Sequence, residues 1–491
     1  MMNKKNSWLV VGAVLLIVLG GLYFVFQRPS DSANRPNVVF VYADDMDMKL
    51  LPYMEQVNAL IAQQGAVFNN YFVTAPTCCP SRSSILRGQY PHNSGVFENS
   101  PGFEEFHEKG NDEETLATWL EDAGYRNSYL GKYLNLYPAG AKRTYIPPGW
   151  DDWHVFLYGP SDNFYYAYTM NENGKLVKYQ RHDYEYGTDV IRDQALAFVE
   201  KSAKRNSPFF LMVSVYAPHG PTIAAPRHAD LFDGLEYPKS ESFQEADLSD
   251  KPALIRELST ANGIFEVKDA DELFVKRVRT MQAVDEMVAD LVKALDETGE
   301  LENTYFFFTS DNGFHMGEHG LPSGKMLPYE EDIRVPLLVR GPGIEPGTTV
   351  DAMVANIDIA PTIADLVDMK IADFVDGRSA ARFLIPQAEQ TDEPTWRHAL
   401  LIETGNLDRE SPVIAYRGIR TTTFSYVEYE NGELEFYDLV HDPYQMENLA
   451  GKLDDQTLAS LHAWLEELKA CQGDTCRQAE DVLFGGIALK P

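Results

Sequence analysis

Residues 37 to 43 read NVVFVYA and are cut off by two aspartates, Asp44 and Asp45. A strand with no polar face must be covered on both sides, as an inner strand of a parallel sheet is by flanking helices. Similar strands are expected at Phe209 to Tyr216, after Pro208, and at Thr304 to Thr309, which stops at Ser310-Asp311-Asn312-Gly313. Further strands are predicted around Ala66 to Phe72, at Arg126 to Leu130 and at Ile333 to Val339. Between them lie helix patterns at Met54 to Gln64, Thr115 to Ala123, Thr188 to Ser202 and Phe274 to Asp296. In the last, Met281, Val284, Met287, Val288, Leu291 and Leu295 share one face. The alternation predicts an α/β sandwich with a mostly parallel central sheet. Asp230 to Asp271 is polar and acidic and reads as an insertion loop. After Arg397, short aromatic and threonine-rich segments flank the turn Glu430-Asn431-Gly432, and a helix is expected from Asp455 to Lys469. This divides the chain into a body, 36–396, and a smaller antiparallel subdomain, 397–491.

Ahead of the body, Lys4 and Lys5 precede an unbroken apolar run from Trp8 to Phe26, closed by Arg28. At ~1.5 Å per residue the run is just long enough to cross a bilayer. The lysines favour a cytoplasmic N-terminus, and no small-x-small cleavage site follows. Residues 1–30 are therefore expected to act as a signal-anchor rather than a cleaved signal peptide. Either way the body lies outside the cytoplasm, as a periplasmic, cell-surface or secreted protein. There, Cys471 and Cys476 read as a small disulfide loop, with a zinc pair as the rival. The net charge of −32 over 491 residues excludes a general nucleic-acid binder. An anionic substrate must be gathered by a local group of cations against the field of the whole chain.

Ligands of open α/β sheets bind outside the carboxyl ends of strands. Two strands here end in acidic groups, Asp44-Asp45 and Asp311-Asn312. Three carboxylates and an amide oxygen suit Ca²⁺ or Mg²⁺ better than zinc. Residues 78 to 88 read Cys-Cys-Pro-Ser-Arg-Ser-Ser-Ile-Leu-Arg-Gly. With Cys78 in first place and Cys79 as spacer, this stretch resembles the signature of the formylglycine-dependent sulfatases, whose first cysteine is oxidised to an aldehyde by a dedicated maturation enzyme. The resemblance runs from residue 36 to about 478 and implies an alkaline-phosphatase-like fold. In it Asp44, Asp45, Asp311 and Asn312 bind calcium, with magnesium as alternative, together with the modified Cys78. Gly131-Lys132-Tyr133 supplies one sulfate-binding lysine and Lys325 the second. Ala217-Pro218-His219 supplies the histidine, Ser310 to Gly320 the second metal element, and Phe436 to Ala450 a C-terminal segment common in the family. Some members carry a histidine where this chain has Leu134. That contact is then absent, or made by another side chain such as Asn135 or His182. His315 and His319 stand beside the metal element as lesser candidates to line the pocket.

The mechanism so implied begins with hydration of the aldehyde to a geminal diol. One hydroxyl, on the metal, attacks sulfur in line, and the other then loses its proton and expels sulfate. Arg82, Lys132 and Lys325 face the sulfate oxygens, Arg82 also holds the formylglycine hydroxyl, and His219 protonates the leaving alcohol. Unmodified Cys78 cannot complete the second step.

For the substrate, Pro147-Pro148-Gly149-Trp150, Trp153 and Asn163-Phe164-Tyr165-Tyr166-Ala167-Tyr168 are similar to the corresponding segment of the N-acetylglucosamine-6-sulfatase branch, as is Tyr90-Pro91-His92-Asn93. These aromatics are expected either to stack on sugar rings or to lie in the core. A sulfated carbohydrate is favoured over aryl or alkyl sulfates and over phosphate or phosphonate monoesters. The long basic segment of the related endosulfatases is missing, which favours exo action. A glycan-binding protein without turnover and a membrane-tethered transferase are the remaining alternatives.

Overall fold

The computed structural model describes residues 35–159, 163–205, 207–261, 265–385, 396–405 and 415–489. The apolar run from Trp8 to Phe26 lies outside the described residues. Among those described, no helix is long and apolar enough to cross a membrane.

The strands are β1 (Asn37–Asp44), β2 (Ala66–Phe68), β3 (Tyr71–Phe72), β4 (Arg126–Gly131), β5 (Asp152–Phe156), β6 (Thr169–Glu172), β7 (Lys175–Lys178), β8 (Phe209–Pro218), β9 (Thr304–Ser310), β10 (Leu337–Arg340), β11 (Thr348–Val350), β12 (Val354–Ala355), β13 (Ala399–Thr404), β14 (Tyr416–Thr421), β15 (Phe424–Tyr429) and β16 (Leu434–Asp438). A ten-stranded sheet runs in the order β11-β2-β10-β9-β1-β8-β4-β5-β6-β7. Its centre, β9-β1-β8-β4-β5, is parallel throughout. Antiparallel β10 and the β6–β7 hairpin lie towards its margins.

The helices that matter below are α1 (Cys78–Arg87), α2 (Leu116–Asp122), α3 (Gly187–Ser202), α4 (Val267–Glu297), α5 (Ile359–Leu366) and α6 (Asp455–Lys469). Strand periodicity divides β1 between two cores. Val38, Phe40 and Tyr42 face α1, α2 and α5. Val39, Val41 and Ala43 face α3 and α4. Every residue of β1 is buried, as its unbroken apolar sequence requires.

Three local expectations are revised. The strand expected from Ile333 begins only at Leu337, because Pro336 has no N–H for the ladder and Glu330–Ile333 forms a helical turn. The strand expected over Ala66 to Phe72 is split at Asn69-Asn70, whose side chains bond to Asp351, so that β3 pairs with β12 instead. The supposed insertion loop carries a helix, Ala253–Ala261, and its Tyr237 is buried with the hydroxyl on Glu318.

The C-terminal part is a four-stranded antiparallel sheet, β13-β14-β15-β16, covered by α6. Its core includes Phe72, Tyr90 and Ile357 of the body. Arg397 donates to both oxygens of Asp358 and to Glu480, and Glu480 also accepts from Tyr90. Cys471 and Cys476 form a disulfide, which removes the zinc alternative.

Candidate active site

The carboxyl ends of β1, β4, β8 and β9 deliver Asp44-Asp45, Lys132, His219 and Asp311-Asn312 to one edge of the sheet. The N-terminus of α1 brings Cys78 to the same place, where a helix start favours anions. All of α1 is buried. Thr77 does not cap it; instead Asn99 Oδ1 accepts from Cys79 N at 2.8 Å.

The polypeptide is bent sharply at the metal-type ligands. Asp45 has φ 69°, a left-handed conformation that costs a non-glycine residue about 1–2 kcal/mol. It is held there by its N–H on Asp311 Oδ1 (3.1 Å) and by Met46 N on Ser310 Oγ (2.9 Å). The bend turns the Asp45 carboxylate into the cluster, where Asn312 Nδ2 (2.8 Å) and Lys325 Nζ both donate to it.

Around these groups the charges interlock. Lys132 Nζ donates to Asp44 Oδ2 at 2.5 Å, and Lys325 Nζ lies 2.7 Å from Cys78 Sγ. Cys78 Sγ is 3.4 Å from Asp44 Oδ1. Arg82 Nε donates to Asp311 Oδ2 (2.7 Å), and Nη1 to Lys132 O and Ser214 Oγ (both 2.7 Å). Its Nη2 is buried without a hydrogen-bond partner, 3.6 Å from Asp44. His219 Nδ1 faces its neighbour's carbonyl, Gly220 O, at 2.8 Å, which leaves Nε2 towards Asp45 at 3.7 Å. Ligand atoms of Asp44, Asp45, Cys78 and His219 all lie within 4.8 Å of one another. Every residue singled out above for catalysis or metal binding therefore falls in one cluster.

The electrostatics show what such a cluster can hold. Burial opposes ionisation of Asp44, but Lys132, His219, Arg82 and Lys325 together hold its carboxyl well below the usual range. Asp311 is pushed up, because burial and the charge of Asp44 outweigh Arg82. Positive charge is thus still in demand on the Asp311 side. There Asn312 Oδ1 is buried and unpartnered. An all-oxygen set with an orphaned amide oxygen fits a hard divalent cation. Burial also pushes the Cys78 thiol up to about 11, against Lys132 and Lys325, so the unmodified side chain keeps its proton at neutral pH.

Other candidates fall outside the cluster. Leu134 is fully buried in the core. His182 is exposed and stacked on Tyr184, and Asn135 touches Cys79 through its backbone. His315 Nδ1 is bonded to Asp332 (2.9 Å) and His319 Nδ1 to Glu245 (2.7 Å). Asp332 also accepts from Leu327 N, so His315 braces the loop that carries Lys325. The aromatics considered for sugar stacking, Trp150, Trp153, Phe164, Tyr165, Tyr166 and Tyr168, are core residues, each at most 9% exposed. What the sequence reading missed is the support of Arg82. Tyr42 lies under its guanidinium, 4.9 Å away, and bonds Tyr129, whose hydroxyl donates to Lys132 O. Ser214 was findable, being the one polar residue in the run from Phe209 to Tyr216.

Comparison with known proteins matches residues 36–369 to the family described as Sulfatase. Residues 317–471 match N-sulphoglucosamine sulphohydrolase, C-terminal. The N-acetylglucosamine-6-sulfatase of Homo sapiens is 35% identical over 508 aligned positions, covering 95% of this chain and 90% of the human protein. A structure solved in complex with its substrate D-glucosamine-2-N,6-O-disulfate aligns with a TM-score of 0.74 at 26% identity, covering 91% of this chain and 99% of the other. The phosphonate monoester hydrolase of Silicibacter pomeroyi shares the fold, with a TM-score of 0.70 at 22% identity, over 88% of this chain and 94% of that one.

Proposed function

This chain belongs to the sulfatase family, with its alkaline-phosphatase-like fold, and is a sulfuric ester hydrolase; from that premise we propose that it removes 6-O-sulfate from N-acetylglucosamine or a related sulfated glycan, using a formylglycine made from Cys78. The observation that carries the reading is the buried convergence of Cys78, Lys132, Lys325 and the unpartnered Arg82 Nη2 on one point. Support for the sugar comes from the name of the human relative and from the disulfated glucosamine bound by the structural neighbour.

Asp44, Asp45, Asp311 and Asn312 would hold Ca²⁺, with Mg²⁺ as alternative. Formylglycine and the ion together would supply an oxygen nucleophile for sulfur. The remaining roles belong to side chains. Lys132, Lys325 and Arg82 Nη2 bind the sulfate oxygens, and charge-assisted contacts of this kind contribute roughly 1.5–3 kcal/mol each. They are already fixed by Asp44, Asp45 and Asp311, so little reorganisation accompanies the developing charge. His219 delivers a proton from Nε2 to the leaving alcohol. His219 and Lys325 are the least buried members of the cluster, with side chains 31% and 13% exposed, and mark the entrance.

The reading places the protein outside the cytoplasm, tethered by residues 8–26 if these are retained. It requires a maturation enzyme for Cys78, and it treats 36–396 as catalytic domain and 397–491 as C-terminal subdomain. The test is sulfate release by protein whose position 78 has been checked by mass spectrometry. 6-O-sulfated N-acetylglucosamine should turn over faster than an aryl sulfate or a matched phosphate monoester. Faster phosphate cleavage, or full turnover with unconverted Cys78, would overturn the proposal.

A further inference from the structure

A buried arginine that belongs to no motif lies behind the metal-type ligands. Arg277 projects from α4 and is 1% exposed. Its Nη2 donates to the main-chain oxygen of Asp45 (2.5 Å) and to Asp47 Oδ2 (2.8 Å). Its guanidinium lies over the ring of Phe314, 4.2 Å from the centroid. Phe314 stands two residues after Asn312, so one side chain touches both acidic turns, the one after β1 and the one after β9. The acceptor on the first turn is the carbonyl of the one ligand residue in a left-handed conformation, Asp45 at φ 69°. A planar guanidinium can stack on a ring and donate in its own plane at once, whereas an ammonium offers only the donors.

We propose that Arg277 is a positioning residue of the cation site: it holds the Asp44–Asp47 turn in its left-handed bend and against the Asp311–Phe314 turn, so that Asp45 and Asn312 converge. Arg277 does not touch the ion or the substrate. The inference rests on the metal assignment proposed above. It predicts that the geometry of the oxygen ligands, and with it divalent-ion affinity, depends on a side chain outside the ligand set.

The test is calorimetric titration of chelator-stripped full-length protein with Ca²⁺, which reads the site without turnover. Arg277→Met should weaken Ca²⁺ binding at least 10-fold. Arg277→Lys, which keeps charge and donors but not the stacking, should recover only part of that loss, since the Asp45 turn is still held and the Phe314 turn is not. Thermal unfolding in chelator separates this from general destabilisation, since a purely structural arginine would lower the midpoint and leave the affinity of the folded fraction unchanged. If the methionine variant does not fold because Asp47 is left unpaired, Arg277→Met with Asp47→Asn removes the stranded charge, and the same affinity loss is expected. Unchanged Ca²⁺ affinity in a folded Arg277→Met or double variant would overturn the inference alone. Failure of the wild-type protein to bind Ca²⁺ or Mg²⁺ would instead overturn the metal assignment and this inference with it.

Discussion

Arg82 and Arg397 are both buried and both surrounded by acids, yet their surroundings differ in kind. Arg397, at the junction of body and C-terminal part, has each guanidinium nitrogen on a carboxylate oxygen of Asp358 or Glu480. Arg82 has one carboxylate hydrogen bond, spends Nη1 on main-chain and hydroxyl oxygens, and leaves Nη2 without a hydrogen bond, 3.6 Å from Asp44. Burying charge is costly in either place, and full pairing is the usual way to offset the cost. The junction is closed in that sense. The cluster at the sheet edge is pre-charged but incomplete, with an unpaired donor in Arg82, an unpaired acceptor in Asn312 and a strained backbone at Asp45. Unfilled hydrogen-bonding capacity within one buried cluster distinguishes a site from a structural network of the same composition.

The contrast can be broken most directly at the nucleophile. Cys78→Ala should reduce sulfate release to background while the thermal midpoint stays near wild type, because the side chain it replaces, as formylglycine or as thiol, is small and uncharged. The two arginines then test the contrast itself. Arg82→Met should lower kcat by about 10²–10³-fold, the scale of losing one preorganised donor. Arg397→Met should leave kcat per folded molecule within a few-fold but cost about 3–5 kcal/mol in denaturant unfolding, as breaking a buried pair does. An inactive but fully stable Arg397→Met would erase the distinction.

Removing divalent ions sharpens it further. With Ca²⁺ at 100 times its dissociation constant, about 2.7 kcal/mol of stability should disappear on chelation. The loss should be equal in wild type and in Arg397→Met, since the junction holds no part of the ion site. The smallest effect concerns pH. Burial disfavours protonated His92, but Glu403 raises its pKa above the usual value, across the same junction. A raised histidine contributes stability that is complete below its unfolded pKa of about 6.5 and is lost as pH rises through the folded value. Stability should therefore decline modestly above about pH 6.5, and His92→Gln should flatten that slope in urea unfolding from pH 6 to 9.

Much of this was legible in the chain itself. Unbroken apolar runs ending in aspartate or a Ser-Asp-Asn turn fixed both the parallel sheet and the edge where the ligands meet, because a strand buried on both faces can expose a polar side chain only beyond its end. Cys78, Arg82, Lys132 and His219 were readable through segments that resemble those of the sulfatases, and Lys325 through its place in that resemblance. The supports were not. Tyr42 and Tyr129 look like ordinary strand aromatics, and Arg277 like a charged break in the apolar face of α4, until the turns they hold are brought beside them. The aromatics from Trp150 to Tyr168 were ambiguous for the opposite reason, since a ring that fills a core and a ring that binds a sugar share one composition.

The position of β1 also sets a clock. It is the first strand of the body, yet its partners are β8 and β9, and Val38 lies beside Tyr305. At about 5–20 residues per second, synthesis of the intervening chain takes roughly 15–50 s. β1 has neither neighbour until β8 is made and only one until β9 follows, so the nascent chain must be shielded from association for far longer than the microseconds in which a hairpin closes.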